Sequence, residues 1–132
     1  METIKVSAGT SLPTRGDLRN PDCPSREALD RIGSKWSILI VLTLARGTHR
    51  FSALRDSLGG ITAKVLTANL RSLEHDGLVA RTVYAEVPPR TEYTLTPLGA
   101  TLIEPFTAIR EWAETHTAEI HRNRTTHADR TG

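Results

Sequence analysis

Apolar positions divide the chain into a polar arm followed by segments with helical spacing. Residues 1 to 20 carry Ser, Thr, Gly, Pro and balanced charge with no sustained apolar period, which predicts a flexible N-terminal arm over residues 1–21. The pattern changes at Cys23. Pro24 suits the first position of a helix, Ala28, Leu29 and Ile32 recur three or four apart, and Gly33 stops the run, so a short first helix is expected. Ser34 can cap a second helix, from Lys35 to about Ala45, whose Trp36, Ile38, Leu39, Ile40, Val41, Leu42 and Leu44 cover nearly every face. A helix apolar all round, yet far short of the roughly 20 residues that cross a membrane, is the buried one of a small domain.

A break at Arg46-Gly47-Thr48-His49 precedes Phe51, Leu54 and Leu58, which stand at i, i+3 and i+7 of a third helix ended by Gly59-Gly60. Thr62 is then a good N-cap for a fourth, on which Leu66, Leu70 and Leu73 form a narrow apolar stripe that stops at Asp76-Gly77. Two short helices joined by a tight Gly-containing turn make a helix-turn-helix. At about 100° per residue, Lys64, Ala68, Arg71 and His75 fall opposite the stripe, with Thr67 on the flank. That outer face is cationic, polar and low in bulk, as a helix entering the DNA major groove requires.

The period then shortens. Leu78 to Val87 is rich in Val, Thr and Tyr, Val87-Pro88-Pro89-Arg90 interrupts it, and Thr91 to Leu95 resumes, so two strands of a hairpin are predicted. A hairpin directly after a helix-turn-helix is a wing, and its two prolines deny ladder donors at the tip. Thr96-Pro97 restarts helix, with Leu98, Leu102, Phe106, Ile109 and Ala113 along one side; Pro105 is expected to kink it. This apolar face exceeds what one small core can hide, and a partner subunit is its natural cover. The fold class is therefore mainly α with a small β-hairpin (α+β).

Composition narrows the function. A chain of 132 residues makes one domain, too short for a doubly wound enzyme fold. The net charge of +2 says little by itself, but residues 46–73 carry +4 and residues 97–119 carry −3. Such asymmetry points to an anionic partner for the central stretch. Arginine outnumbers lysine 14 to 3, which would put phosphate contacts on forked guanidinium groups, although genome composition explains the bias equally well. The single cysteine excludes an internal disulfide framework and a Cys-rich zinc site and fits a reducing cytoplasm. The first 20 residues lack the pattern of a secretory signal, so a cytoplasmic protein without membrane association is expected. His49, His75, His116, His121 and His127 include no pair at i, i+4, and H-E-x-x-H, Walker and G-x-S-x-G patterns are missing. The expectation is a non-enzyme with no cofactor and no metal.

From Cys23 to Trp112 the sequence resembles the HxlR-type family of MarR-like winged helix-turn-helix transcriptional regulators. The resemblance is carried by Cys23-Pro24, Ile32-Gly33-Ser34-Lys35-Trp36, Arg50-Phe51-Ser52-Ala53-Leu54 and Gly60-Ile61-Thr62 leading into Leu66, Leu70, Arg71 and Leu73-Glu74. Asp76-Gly77-Leu78-Val79, the run Val87 to Thr96, Gly99, Leu102 and Trp112 continue it in order. It implies a homodimer built from N- and C-terminal dimerisation helices, with two winged units on a pseudo-palindromic operator in double-stranded DNA. Residues 22–120 form the domain on this reading, and 121–132 a flexible C-terminal tail outside the resemblance.

Lys64 and Arg71 can reach phosphates or guanine edges, Thr67 a thymine methyl or base acceptor, and Ala68 shares their face. Thr62 or Ser52 can present backbone N–H groups to phosphate, and Arg50 can clamp phosphate or pair with Asp56. Arg90, at the wing tip, is the candidate for a minor-groove or backbone contact. Cys23 starts a helix with Arg26 one turn on, which favours a reactive thiolate, and some family members sense oxidants or electrophiles at this position. Trp112 is the candidate lining residue of an effector pocket at the dimer interface, whereas Trp36, Phe51, Tyr93 and Phe106 belong on core stripes. The expected function is a homodimeric, sequence-specific DNA-binding repressor, switched by modification of Cys23. The alternatives are control by a small-molecule effector, or a winged-helix module for protein interaction, against which the cationic recognition face argues.

Overall fold

The computed structural model describes residues 17–131. Helix α1 (Pro24–Ile32) leads to α2 (Lys35–Leu44), a two-residue strand β1 (His49–Arg50), α3 (Phe51–Ser57) and α4 (Ala63–His75). Strands β2 (Val79–Tyr84) and β3 (Arg90–Leu95) follow, then α5 (Pro97–Ala100) and the long α6 (Ile103–Thr131). Side-chain oxygens set three of these starts. Ser34 accepts from the Ser37 N–H at 3.0 Å, Thr62 from the Val65 N–H at 3.1 Å, and Thr96 from the Gly99 N–H at 3.0 Å. Each satisfies a donor that the first helical turn leaves unpaired.

One core holds the helix-turn-helix and the hairpin together. Leu66, Leu70 and Leu73 of α4 are buried against Ile40 and Leu44 of α2, Leu54 and Leu58 around α3, and Leu78, Val79 and Tyr93 of the hairpin. Helix α2 behaves as an inner helix, with Ile40 and Val41 fully buried, though Leu39 reaches the surface. The first strand of the wing ends at Tyr84, three residues short of the expected Val87, and the loop 85–89 carries both prolines.

Sheet order is β1-β3-β2, all antiparallel, with Val79 opposite Leu95 and Tyr84 opposite Arg90. The sequence expectation of a two-stranded hairpin misses β1, which pairs His49 with Tyr93 and Arg50 with Glu92. Two residues are too few to show alternation; β1 forms because β3 has a second edge with unpaired backbone groups.

Pro105 does not kink the C-terminal helix. It is the third residue of α6, in the first turn, where a missing N–H leaves no bond unmade. The interruption falls earlier, at Thr101 and Leu102, because the proline ring crowds the carbonyl four residues back. Residues 121–131 continue α6 as helix where the sequence suggested a tail. Most of the expected N-terminal arm lies outside the described residues; Asp17 to Asp22 form turns, with the Asn20 N–H on the Asp17 carbonyl at 2.8 Å and the Cys23 N–H on the Asn20 carbonyl at 2.9 Å.

The junction of hairpin and C-terminal helices is tight. Gly77 ends α4 with φ +78°, the left-handed conformation that turns the chain into β2. The Thr96 hydroxyl donates to the Gly77 carbonyl at 2.6 Å while capping α5, and the Thr96 N–H donates to the Leu78 carbonyl at 3.1 Å. Gly99 is buried, and a Cβ there would overlap the Leu78 carbonyl oxygen. Gly99→Ala should therefore destabilise the fold by about 2 to 3 kcal/mol, since backbone must move to admit the methyl group. Urea unfolding measures this, and a loss under half a kcal/mol would show the contact to be loose.

Burial of Tyr93 raises its hydroxyl pKa above the ordinary tyrosine value, opposed by the Arg81 charge, reinforced by Glu74 and opposed again by Arg71. Ionisation then favours the unfolded chain. Stability from this group is intact below about pH 10 and declines as pH rises through the raised folded-state value. Tyr93→Phe should make the alkaline decline of stability shallower, which urea midpoints across an alkaline pH series will show.

Candidate nucleic-acid interface

The leucine stripe turns the opposite side of α4 outward. Lys64, Ala68, Arg71 and His75 are exposed and Thr67 is half-buried, as the helical spacing required. Thr62 spends its hydroxyl oxygen on the cap, so what it offers a phosphate is the backbone of the first turn, where N–H groups and the helix dipole favour an anion. Val65, 37% exposed, joins this surface and was not singled out from sequence. Its signal was available, since it stands off the Leu66-Leu70-Leu73 stripe, and an apolar side chain there can meet a thymine methyl. Asn69 is turned inward along the helix, its Nδ2 donating to the Val65 carbonyl at 2.9 Å.

Lys64 and Arg71 are separated by seven residues, about 10 Å along the axis. Arg71 lies on the side of the hairpin: its charge acts on Tyr93 of β3, and the next turn carries Glu74, paired at 3.5 Å with Arg81 of β2. The two cations therefore serve different ends of the face, one at the helix start and one beside the wing.

Strand β1 brings the start of α3 against the wing. Arg50, Phe51 and Ser52 border a cleft of about 370 Å³ whose other wall is the wing from Glu86 to Thr91. Arg50 is exposed and, among the described residues, makes no ion pair with Asp56. Ser52 is exposed in the first turn of α3.

Arg90 departs from its expected place as a free guanidinium at the wing tip. It is the first residue of β3, with Nη1 3.1 Å from Glu86 Oε2, Nε 3.3 Å from Glu92 Oε2, and Cζ 4.1 Å from the centre of the Tyr84 ring. The Nε contact is close enough for charge attraction but off the axis of a hydrogen bond, so this buried N–H has no hydrogen-bond acceptor. The tip itself is Val87, fully exposed, followed by Pro88 and Pro89. Glu92 shares a face of β3 with Arg90 by strand alternation, whereas Glu86 and Tyr84 reach it only after the hairpin closes.

Cys23 caps α1 with its backbone, and the residue is 4% exposed. The Arg26 guanidinium reaches back to the Arg19 carbonyl at 3.1 Å. Trp112 is not enclosed in a pocket: it is 57% exposed and stacks on His116 with ring centroids 4.8 Å apart. Ile109 beside it on α6, Leu29 on α1 and Leu98 on α5 are about half exposed as well. A cavity of about 330 Å³ lies elsewhere, between α1, the end of α4 and α5, lined by Ile32, Leu78, Leu98 and Leu102, with Arg31 and Asp76 3.5 Å apart at its polar side. Among the described residues no helix is long and apolar enough to cross a membrane.

Known proteins carry the same arrangement. An uncharacterized HTH-type transcriptional regulator of Escherichia coli K12, YtfH, is 45% identical over 105 residues, 80% of this chain and 83% of its own. The solved structure of the transcriptional regulator ytfH from Salmonella typhimurium superposes with a TM-score of 0.78 at 41% identity, covering 84% of this chain and 99% of that one. The redox regulator HypR in its reduced form superposes with a TM-score of 0.69 at 38% identity, covering 75% of this chain and 98% of its own. Residues 31–121 match the HxlR-like helix-turn-helix family. With its capped α4, three-stranded wing and these relatives, the chain belongs to the HxlR-like family of helix-turn-helix transcriptional regulators.

Proposed function

We propose that this regulator binds a pseudo-palindromic operator as a homodimer and represses transcription, with α4 in the major groove and the wing on the adjacent minor groove. The observation that carries the reading is the outward face of α4, where Lys64, Thr67, Ala68 and Arg71 stand over an anchored leucine stripe and the helix N-terminus, with the Val65 N–H held by the Thr62 cap, favours an anion. Arg50 and Ser52, at the mouth of the cleft beside the wing, extend the cationic surface toward the DNA backbone. The dimer reading is supported by the apolar side chains of Leu29, Leu98, Ile109 and Trp112, which the described residues leave about half exposed.

Cys23 is the proposed switch. HypR has been solved in oxidised and reduced forms and YodB of Bacillus subtilis after diamide treatment, and this chain is 38 to 42% identical to HypR and 32% identical to diamide-treated YodB. With one cysteine per chain, the product is an intersubunit disulfide, a mixed disulfide with a small thiol, or a sulfenic acid. A cysteine 4% exposed reacts only when the start of α1 opens, so modification and rearrangement of α1 go together.

Selection of bound sequences from random DNA with the reduced protein gives the operator and its half-site spacing. On that site, affinity should fall linearly on a log-log plot against salt, by about 0.9 for each phosphate neutralised, and Lys64→Ala should cost roughly 1 to 3 kcal/mol if it reads a base. Binding that ignores salt, or no enrichment of any sequence, removes the DNA reading. Added protein should lower the yield of transcription from a promoter bearing the site; a rise makes it an activator. Oxidant should change both operator affinity and mobility in non-reducing electrophoresis, and Cys23→Ser should abolish both changes. Unaltered affinity after confirmed modification of Cys23 takes the cysteine out of the mechanism.

A further inference from the structure

The wing of a DNA-binding winged helix is ordinarily expected to bring a cation to the DNA, and Arg90 is its cationic residue nearest the loop. The geometry points to a different role: we propose that Arg90 is a positioning residue that braces the wing from inside and leaves an uncharged tip, Val87-Pro88-Pro89, to meet the DNA. The inference rests on the DNA-binding reading above and deepens it.

The Arg90 guanidinium already lies against two carboxylates and an aromatic ring. One end of the guanidinium is 3.1 Å from Glu86, inside the loop, and the other 3.3 Å from Glu92, on β3 itself. The flat face lies 4.1 Å over Tyr84, the residue directly opposite on β2. One side chain therefore ties the loop, both wing strands and the cross-strand pair that closes the hairpin. Only an arginine does this, because a planar fork can meet two carboxylates at its edge while stacking on an aromatic face. Its side chain is 25% exposed, about half the 49% of Glu86, so the carboxylate and not the cation is the more open of the pair.

Charge completes the argument. Glu86 and Glu92 together outweigh Arg90, so the loop and its base present no free positive charge to a phosphate. What projects is Val87, fully exposed, and two prolines whose fixed φ resists deformation. A stiff apolar tip suits the sugar-lined wall of a minor groove, where contact area and groove shape decide the fit. Freeing Arg90 for DNA would cost two ion pairs and a stacking contact.

The test uses the full-length protein on its selected operator and reads affinity against salt. Arg90→Ala should weaken binding roughly three- to tenfold, the combined size of a stacked cation and its ion pairs, with the log-log salt slope unchanged. Arg90→Lys keeps the charge but loses the fork, and should bind as poorly as Arg90→Ala. Tyr84→Leu should reproduce the loss, and Tyr84→Phe, which keeps the ring, should retain the affinity of the parent protein. Thermal melting confirms that each variant is folded, and if Arg90→Ala does not fold, the Arg90→Lys and Tyr84 pairs decide. A slope reduced by about 0.9 for each arginine lost, or parental affinity in Arg90→Lys, means that Arg90 touches phosphate and overturns the proposal. Parental affinity in all variants overturns it too. If the unsubstituted protein selects no DNA, the underlying reading has failed instead, and the two failures are distinct.

Discussion

Three leucines on one side of α4 decide how this molecule faces the world. Leu66, Leu70 and Leu73 are buried almost completely, and their burial against α2 and α3 fixes the rotation of α4 about its axis. Each such side chain contributes about 1.5 to 3 kcal/mol relative to exposure, so turning the helix by even one position would forfeit several kcal/mol. The outward direction of Lys64, Thr67, Ala68 and Arg71 follows from that constraint and needs no contact of their own. The polar face is thus held by what lies behind it.

The hairpin is attached to this unit through backbone as well as through side chains. Tyr93 and Val79 enter the same core as the leucines, but the register also depends on β1, two residues long, which seats the start of α3 beside the wing. That short pairing is what makes Arg50 and Ser52 neighbours of the loop from Glu86 to Thr91. A winged helix-turn-helix without it would have the same elements and a different surface.

How much of this could be read in advance depends on the range of the interaction. Ser34, Thr62 and Thr96 announce helix starts because a cap is a contact three residues long, and the i, i+3, i+4 recurrence of leucines shows directly which side of α4 is buried. Strand β1 was illegible because its cause lies on β3, more than forty residues away. The surroundings of Arg90 were hidden at shorter range: an arginine after two prolines looks free until the hairpin closes and sets Tyr84 of β2 under it and Glu86 beside it. Pro105 was legible as a disturbance but not in location, since the break falls on the preceding turn and α6 runs on uninterrupted from Ile103. Trp112 was placed correctly on α6, but its surroundings on that open face depend on what covers it.

The missing side chain at Gly99 has a mechanical consequence. Helix α5 rides directly on the backbone of Leu78, the residue between the end of α4 and β2, and the hydroxyl of Thr96 spans the same seam. Side chains between packed elements act as cushions that swap rotamers and absorb small displacements; here no cushion exists, and close-packed interiors compress little. The C-terminal helices, the hairpin and the foot of α4 are consequently geared together. A displacement of α5 is therefore passed at Leu78 to the hairpin and to the foot of α4 at once, like a lever over a fulcrum, because nothing compressible lies between them.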